Sequence, residues 1–256
     1  LFFDLNVALA GISVLALLIL VFYDFNRYKA LHEEQASPDS GTVKQLLINC
    51  FPLLLSTIFP IIITAVPRVS LAQFEGERIL GIYASICTPT VLITTIVPNV
   101  LCPFMTYYGK LYEAGENKKL FRTFWLSIAL TAVFGAVACL AAHFLGDFVM
   151  GLLFGEEVLD YLYIFIPIIT ATVIYAFSMS GNSVLISIHT NWVVTIFAAT
   201  ALIVSFLITT PLTEAYGMWG TVYAFGLPFL VQFVLQVGYI VYSLLIKKKR
   251  GKNLGK

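Results

Sequence analysis

One charged residue lies inside a long apolar stretch of this sequence, Arg68 in the run that ends at Phe74. A charge within a membrane span costs at least about 2.5–3.5 kcal/mol on insertion scales, so it usually faces a cavity or a partner. A guanidinium group offers a planar fork of donors that matches phosphate oxygens. The position therefore favours an anion-binding group. The alternative is an arginine near the end of its run that extends to the membrane interface.

Uncharged polar residues also recur in the apolar runs, and Gln73 and Asn99 are the ones that we expect to bind substrate in a cavity. Hydroxyl and amide side chains in membrane helices also form interhelical hydrogen bonds, worth about 0.6–2 kcal/mol each. That structural role is the alternative for most of them.

The sequence predicts neither a metal site nor a bound cofactor. Its four cysteines lie in apolar runs without metal-ligand spacing, and neither a disulfide framework nor a reactive thiol is implied: Cys50, Cys87, Cys102 and Cys139. The acidic residues lie in connections or at the ends of runs. The three histidines, His32, His143 and His189, have no ligand partner nearby in the sequence.

The composition indicates a protein that folds in a lipid bilayer. Of its 256 residues, 59% are hydrophobic and 11% charged, against about 25% charged in soluble domains. Seven apolar segments are long enough to cross a membrane as helices: Leu5–Tyr23, Leu46–Phe74, Ile79–Tyr108, Phe124–Phe144, Tyr161–Ile188, Trp192–Thr210 and Gly217–Ile246. The predicted fold class is an all-α, polytopic helix bundle with about seven spans. The net charge of +1 favours no nucleic-acid partner.

The basic residues predict the orientation. All of the 15 except Arg68 and Arg78 fall on one side of the seven spans, and the positive-inside rule places that side in the cytoplasm. We therefore expect a multi-pass protein of the cytoplasmic membrane with a cytoplasmic C-terminus. On the opposite side, the connection His143–Asp160 mixes apolar residues, glycines and acids, which predicts either a short amphipathic element at the interface or an ordinary structured loop.

Four parts follow from this pattern. Residues 1–23 are expected to form the last span of a preceding bundle, and residues 24–44 a polar cytoplasmic linker. Residues 45–246 are expected to form a six-helix membrane bundle, and residues 247–256 a basic cytoplasmic tail.

Several short stretches, taken in order, resemble the polysaccharide-repeat flippases of the multidrug/oligosaccharidyl-lipid/polysaccharide exporter superfamily. They are Phe51–Ser56 followed by Arg68, Leu80–Ala84, the prolines Pro98 and Pro103, Leu152–Gly155, and the Gly-x-x-Gly stretch Gly217–Thr221. Each is weak alone, and their order and spacing carry the resemblance. It covers nearly the whole chain and matches the C-terminal portion of such proteins.

The resemblance implies a transporter, not an enzyme, that moves a lipid-linked oligosaccharide across the cytoplasmic membrane by alternating access. It implies two six-helix bundles around a central cavity, with a coupling cation as a further partner. Arg68 would then hold the anionic pyrophosphate of the lipid-linked sugar. One departure is that Pro67 stands where many relatives carry an acid before the arginine, so a role that needs an acid–arginine pair is in doubt.

Three other functions are alternatives to this transporter. A multidrug/cation antiporter of the same superfamily is the closest, although such antiporters usually keep a buried carboxylate. An integral membrane transferase would need acids gathered at one face, for which Asp147, Glu156, Glu157 and Asp160 come nearest. A seven-helix receptor has the same layout, but its usual sequence motifs are missing.

Overall fold

The computed structural model describes Leu18 and residues 40–243 of the chain. Within residues 40–243 it contains helices and no strand, which confirms the predicted all-α class. The elements are α1 Ser40–Glu75, α2 Glu77–Cys87, α3 Thr90–Glu113, α4 Asn117–Phe154, a 3₁₀ helix Glu156–Ile164, α5 Phe165–Ser187 and α6 Asn191–Val241. The predicted first span, most of the linker and the basic tail lie outside the described residues.

Contacts divide the chain into two compact units, Leu1–Ile48 and Asn49–Lys256. In the first, the structure describes Leu18 and the beginning of α1. All the features described below belong to the second unit. The predicted division into four parts at residues 23, 44 and 246 stays a prediction.

The long helix α6 consists of two crossings joined by a one-residue turn. Gly217 has φ 55° and ψ −126°, far from helical values. A Cβ atom built on Gly220 would lie 1.8 Å from the carbonyl oxygen of Leu212, whereas residues eight apart in one straight helix are separated by about 12 Å. The chain therefore reverses at Gly217. We call residues 191–216 α6a and residues 218–241 α6b.

This reversal reconciles the structure with the predicted spans. Five described helices are long and apolar enough to cross a membrane, and one of them is the folded-back α6. The segment Ile79–Tyr108 is divided into α2 and α3 at Pro89, because proline has no N–H to continue the helical ladder. The six predicted segments that fall on described residues are thus all helical, in agreement with about seven spans.

Helix α5 lies in the middle of the bundle, where it packs against α3, α4 and α6. It runs parallel to α6b in a constant register. The rings of Tyr175 and Phe229 have centroids 4.4 Å apart, and those of Phe177 and Phe233 5.6 Å apart. Small residues permit the close approach, since a Cβ on Gly226 would lie 3.1 Å from the Cβ of Ala171.

Contacts between distant residues define the two ends of the bundle. At the end that contains Gly217, called the hairpin end, Arg78 Nε donates to Glu157 Oε1 at 2.8 Å. This carboxylate raises the pKa of Arg78 through the hydrogen bond and its charge. At the other end, Thr195 Oγ1 donates to the Pro52 carbonyl at 2.6 Å. Arg78 and Glu157, which were both predicted to lie on the outer side, are therefore at the same end of the described bundle.

Helix α4 is longer than the apolar segment that predicted it. It continues through the supposed connection as far as Phe154 and ends at Gly155, whose φ is 84°. The prediction of a loop or short amphipathic element over His143–Asp160 is therefore wrong for residues 143–154, which form the end of α4. Gly146 lies within this helix and packs closely against the Phe165 ring. A Cβ atom built on Gly146 would lie 3.3 Å from that ring.

The surface of the described bundle carries many large apolar side chains. Phe144 is 77% exposed, Leu152 74% and Leu207 70%. Water-soluble monomers rarely expose such contiguous apolar surface. These side chains and the long apolar helices place the bundle in a lipid bilayer.

Replacement of Gly220 by alanine is expected to destabilise the protein. The new methyl group would meet the backbone of Leu212, which cannot move aside as a flexible side chain could, and overpacking of this kind costs about 1–3 kcal/mol. The temperature at which half of the detergent-solubilised protein stays monodisperse should fall by several degrees. Gly238→Ala on the same helix is the control, because its Cβ would meet nothing within 4 Å. Equal behaviour of the two variants would contradict the reversal at Gly217.

Candidate functional site

A cavity of about 230 Å³ lies between α1, the α2–α3 junction, α5 and α6b, and Arg68 lines it. We call it the Arg68 cavity. Its other polar lining groups include Thr64 of α1, Tyr83 of α2, and Thr172 and Tyr175 of α5. The site is therefore assembled from helices that are far apart in the sequence.

The fold holds Arg68 between two buried anchors of α1. Ile63 is fully buried against Ala201 and Phe229 of α6. Leu71 is fully buried in the main core. Because α1 is fixed on both sides of it, Arg68 projects from a defined position on the helix.

Arg68 lines the cavity together with Tyr83 and Cys87 of α2. Cys87 and Tyr83 are both buried, at 7% and 3% exposure. They form the wall of the cavity on the α2 side. Arg68 itself is exposed, so its charge remains available on the open side of the cavity.

No described carboxylate neutralises Arg68. The ion pairs among residues 40–243 are Arg78 with Glu157 and Lys119 with Glu116, and each described acidic side chain is exposed. The Arg68 cavity contains no acidic lining residue. An unpaired cation on the wall of a cavity within the membrane attracts an anion, because little else there offsets its charge.

The threonine hydroxyls around Arg68 donate to carbonyl oxygens of their own helices. Thr64 donates to Pro60 at 2.8 Å, Thr90 to Cys87 at 2.7 Å and Thr172 to Ile168 at 2.8 Å. A hydroxyl used in this way keeps lone pairs as acceptors. The cavity thus offers one strong group of donors, Arg68, among acceptors that suit the hydroxyl groups of a ligand.

A second cavity of about 410 Å³ adjoins the first and shares Tyr175 with it. We call it the Asn182 cavity. Its polar lining comes from Ser56 and Thr57 of α1 and from Asn182 and Ser183 of α5. A further cavity of about 290 Å³ between α3, α4 and α5 is lined by apolar residues, proline and glycine only, so it offers no side-chain group for polar recognition.

The structure does not bring the three predicted site residues together. Arg68 lines a cavity, but Gln73 and Asn99 are exposed and line neither of the two polar cavities. Gln73 follows Arg68 by five residues, about 140° round the helix, and the Asn99 amide donates to the Thr95 carbonyl at 2.7 Å. Substrate binding by Gln73 and Asn99 stays a prediction.

Sequence reasoning missed several lining residues. Thr172 and Tyr175 lie in a long apolar run, and Cys87 was interpreted only as a small hydrophobic residue. Their hydroxyl and thiol groups become relevant only once α5 and α2 meet around Arg68. No spacing rule in one sequence could have selected them.

Among the described residues, no group of three or more histidine, cysteine or acidic side chains could hold a metal ion.

Comparison with known proteins gives three findings. No family model matches the sequence. Over 115 residues, 44% of this chain and 29% of the relative, it is 28% identical to the capsular polysaccharide biosynthesis protein CapF of Staphylococcus aureus. The crystal structure of MATE in complex with MaL6 matches 93% of this chain with a TM-score of 0.68 at 13% identity.

The chain has a fold similar to that of the MATE structure. The resemblance that the sequence showed to members of the multidrug/oligosaccharidyl-lipid/polysaccharide exporter superfamily is confirmed as a similarity, in the fold by the MATE structure and in part of the sequence by CapF. The chain spans 55% of the MATE structure and matches less than a third of CapF.

The uncompensated charge of Arg68 leads to a labelling prediction. In a variant whose four native cysteines are alanine, Thr64→Cys places a thiol one helical turn from Arg68. The quantity to measure is the rate of reaction with an anionic methanethiosulfonate divided by the rate with a cationic one. This ratio should be about threefold to tenfold higher than in the same variant carrying Arg68→Gln. Thr57→Cys, in the Asn182 cavity, is the control and should show no such change. A ratio at residue 64 that is insensitive to Arg68 would mean that the guanidinium does not set the potential of this cavity.

Proposed function

We propose that this protein takes part in the movement of a lipid-linked oligosaccharide across the cytoplasmic membrane, with Arg68 binding the phosphate groups of the lipid carrier. The observation that carries the proposal is the unpaired arginine on the wall of a polar cavity between membrane helices. The exporter fold supplies the coarser part of the function, transport across a membrane.

The chemistry of the two polar cavities supports an anionic, hydroxyl-rich substrate. Phosphate oxygens match the donors of a guanidinium group in number and geometry. Sugar hydroxyls can donate to the threonine and serine oxygens, whose own protons are used within the helices. CapF, the relative of this chain, is named for capsular polysaccharide biosynthesis, which is compatible with such a substrate.

Proline residues in the helices that line the cavities support movement between two access states. Helix α1 contains Pro52, Pro60 and Pro67, and α3 contains Pro98 and Pro103. Each proline removes one helical hydrogen bond and favours a kink, and interrupted helices are common in alternating-access transporters. We propose that α1 and α3 carry the motion, with the basic side of the protein and its C-terminus in the cytoplasm.

A multidrug/cation antiporter is the second candidate, because the matching structure is a MATE protein. Against it, no described carboxylate is buried or lines the two polar cavities. A transferase is less well supported, since Glu157 of the candidate acid cluster is paired with Arg78. Dependence of transport on a coupling cation would be shared by both transporter functions, so the substrate distinguishes them.

Export in cells should depend on Arg68. Arg68→Gln removes the charge and the fork of donors, and loss of hydrogen bonds to a charged group costs about 1.5–3 kcal/mol. We expect at least about a tenfold loss of surface polysaccharide in a complementation assay with normal protein levels. Arg68→Lys should keep part of the export, because it retains the charge but not the planar fork.

The matched control is Arg78→Gln, which removes an arginine at the hairpin end that lines neither polar cavity. It should leave export nearly unchanged. Full export from Arg68→Gln would refute the role of Arg68. Restored resistance to cationic drugs instead of polysaccharide export would favour the antiporter.

A further inference from the structure

A hydrogen bond between α5 and α6b fixes one side chain of the Asn182 cavity. Gln236 Nε2 donates to Asn182 Oδ1 at 2.7 Å. Gln236 is fully buried, whereas Asn182 is half-buried and lines the cavity. The buried amide therefore holds the carbonyl oxygen of Asn182 away from the cavity.

Gly181, the residue before Asn182, makes room for this arrangement. A Cβ atom at Gly181 would lie 2.3 Å from Gln236 Oε1 and 3.2 Å from the Gln236 Cβ. Any other residue at position 181 would displace the Gln236 side chain. In this orientation Gln236 Oε1 faces Gly181 and has no hydrogen-bond partner among the described residues.

The consequence is that Asn182 presents its amide nitrogen. The Nδ2 atom of Asn182 has no hydrogen-bond partner among the described residues. It is also not among the fully buried polar atoms that lack a partner. The neighbouring hydroxyls donate within their own helices, Ser56 to Leu53 at 2.7 Å and Ser183 to Met179 at 3.0 Å. Asn182 is thus an oriented donor beside groups that act as acceptors.

An asparagine that is free to rotate could present either end of its amide, and a ligand hydroxyl could pair with both. Fixing the amide removes this adaptability and favours a ligand atom that can only accept. The sugar substituents of this kind are the carbonyl of an acetamido group and a carboxylate. Both present an oxygen that carries no hydrogen.

We propose that Asn182 determines substrate specificity by donating to an acetamido carbonyl or a carboxylate on the transported sugar, and that Gln236 and Gly181 are positioning residues for it. The inference rests on the proposed function, since it assumes a glycan in the Asn182 cavity. The proposed acceptor group on the glycan would be recognised by Asn182 and not by Arg68, because Arg68 lines the adjoining cavity.

Binding of three synthetic probes to the protein in nanodiscs tests this inference. The probes are farnesyl diphosphates that carry N-acetylglucosamine, glucuronate or glucose. The protein should bind the N-acetylglucosamine probe up to about tenfold, or the glucuronate probe about ten- to a hundredfold, more tightly than the glucose probe. The preferred probe shows which of the two acceptors is recognised.

Gln236→Met and Asn182→Ala should each reduce this ratio to near one, with less than about a twofold change for the glucose probe. Gly181→Ala should do the same through displacement of Gln236, and Gln236→Met serves if that variant does not fold. Gln232→Met is the matched control. Gln232 lies one turn earlier on α6b and is equally buried, but neither of its amide atoms has a hydrogen-bond partner among the described side chains and backbone, so the ratio should not change.

The two proposals can fail separately. Equal affinity for the three probes, lost in Arg68→Gln, would overturn the role of Asn182 and support the proposed function. A preference that survives Gln236→Met and Asn182→Ala would also overturn it. No binding of any probe, with or without Arg68, would overturn both.

Discussion

Within a membrane, a polar group has no water to bond with and must find its partner in the protein. This constraint organises the interior of the bundle. Hydroxyls such as those of Thr64, Thr172 and Ser183 donate to carbonyls one turn back on their own helices, whereas the Thr195 hydroxyl donates across to the Pro52 carbonyl of α1. The bond from Gln236 to Asn182 also ties two helices. Arg68 carries a full charge within a span and has no acidic partner among the described residues, and this unpaired charge marks the site.

The constraint also explains which features could be predicted from the sequence. Hydrophobic runs must be helices when no water is present to satisfy the backbone, so the spans on described residues were predicted correctly. The Gly-x-x-Gly stretch has a clear physical basis in the structure. Gly217 adopts a positive φ at the reversal, and Gly220 lies against the Leu212 carbonyl. Arg68 was found because a charge in an apolar run is visible in the sequence.

The features that escaped prediction depend on packing between distant segments. The end of α4 was misplaced because polar residues such as Asp147 suggested a connection, whereas the helix continues past the apolar run that identified it. Tyr83, Cys87 and Tyr175 belong to the site only because α2 and α5 meet around Arg68. The choice of Gln73 and Asn99 came from residue type alone, and residue type does not say which face of a helix meets a cavity.

The turn at Gly217 has a mechanical consequence for the proposed alternation between two access states. Helices α6a and α6b are joined by a single non-helical residue, so there is no slack chain between them. The ends of α6a and α6b at Gly217 cannot separate, so the two helices would move as one rigid unit. Helix α5 would move with them, because ring contacts and the Gln236–Asn182 bond join it to α6b. Widening of the Arg68 cavity at that end would then fall to α1 together with α2 and α3, and α1 and α2 meet at Gly76 with φ 86°. With a glycine between α1 and α2 and a rigid turn between α6a and α6b, the cavity would open on the side of α1 and α2 only.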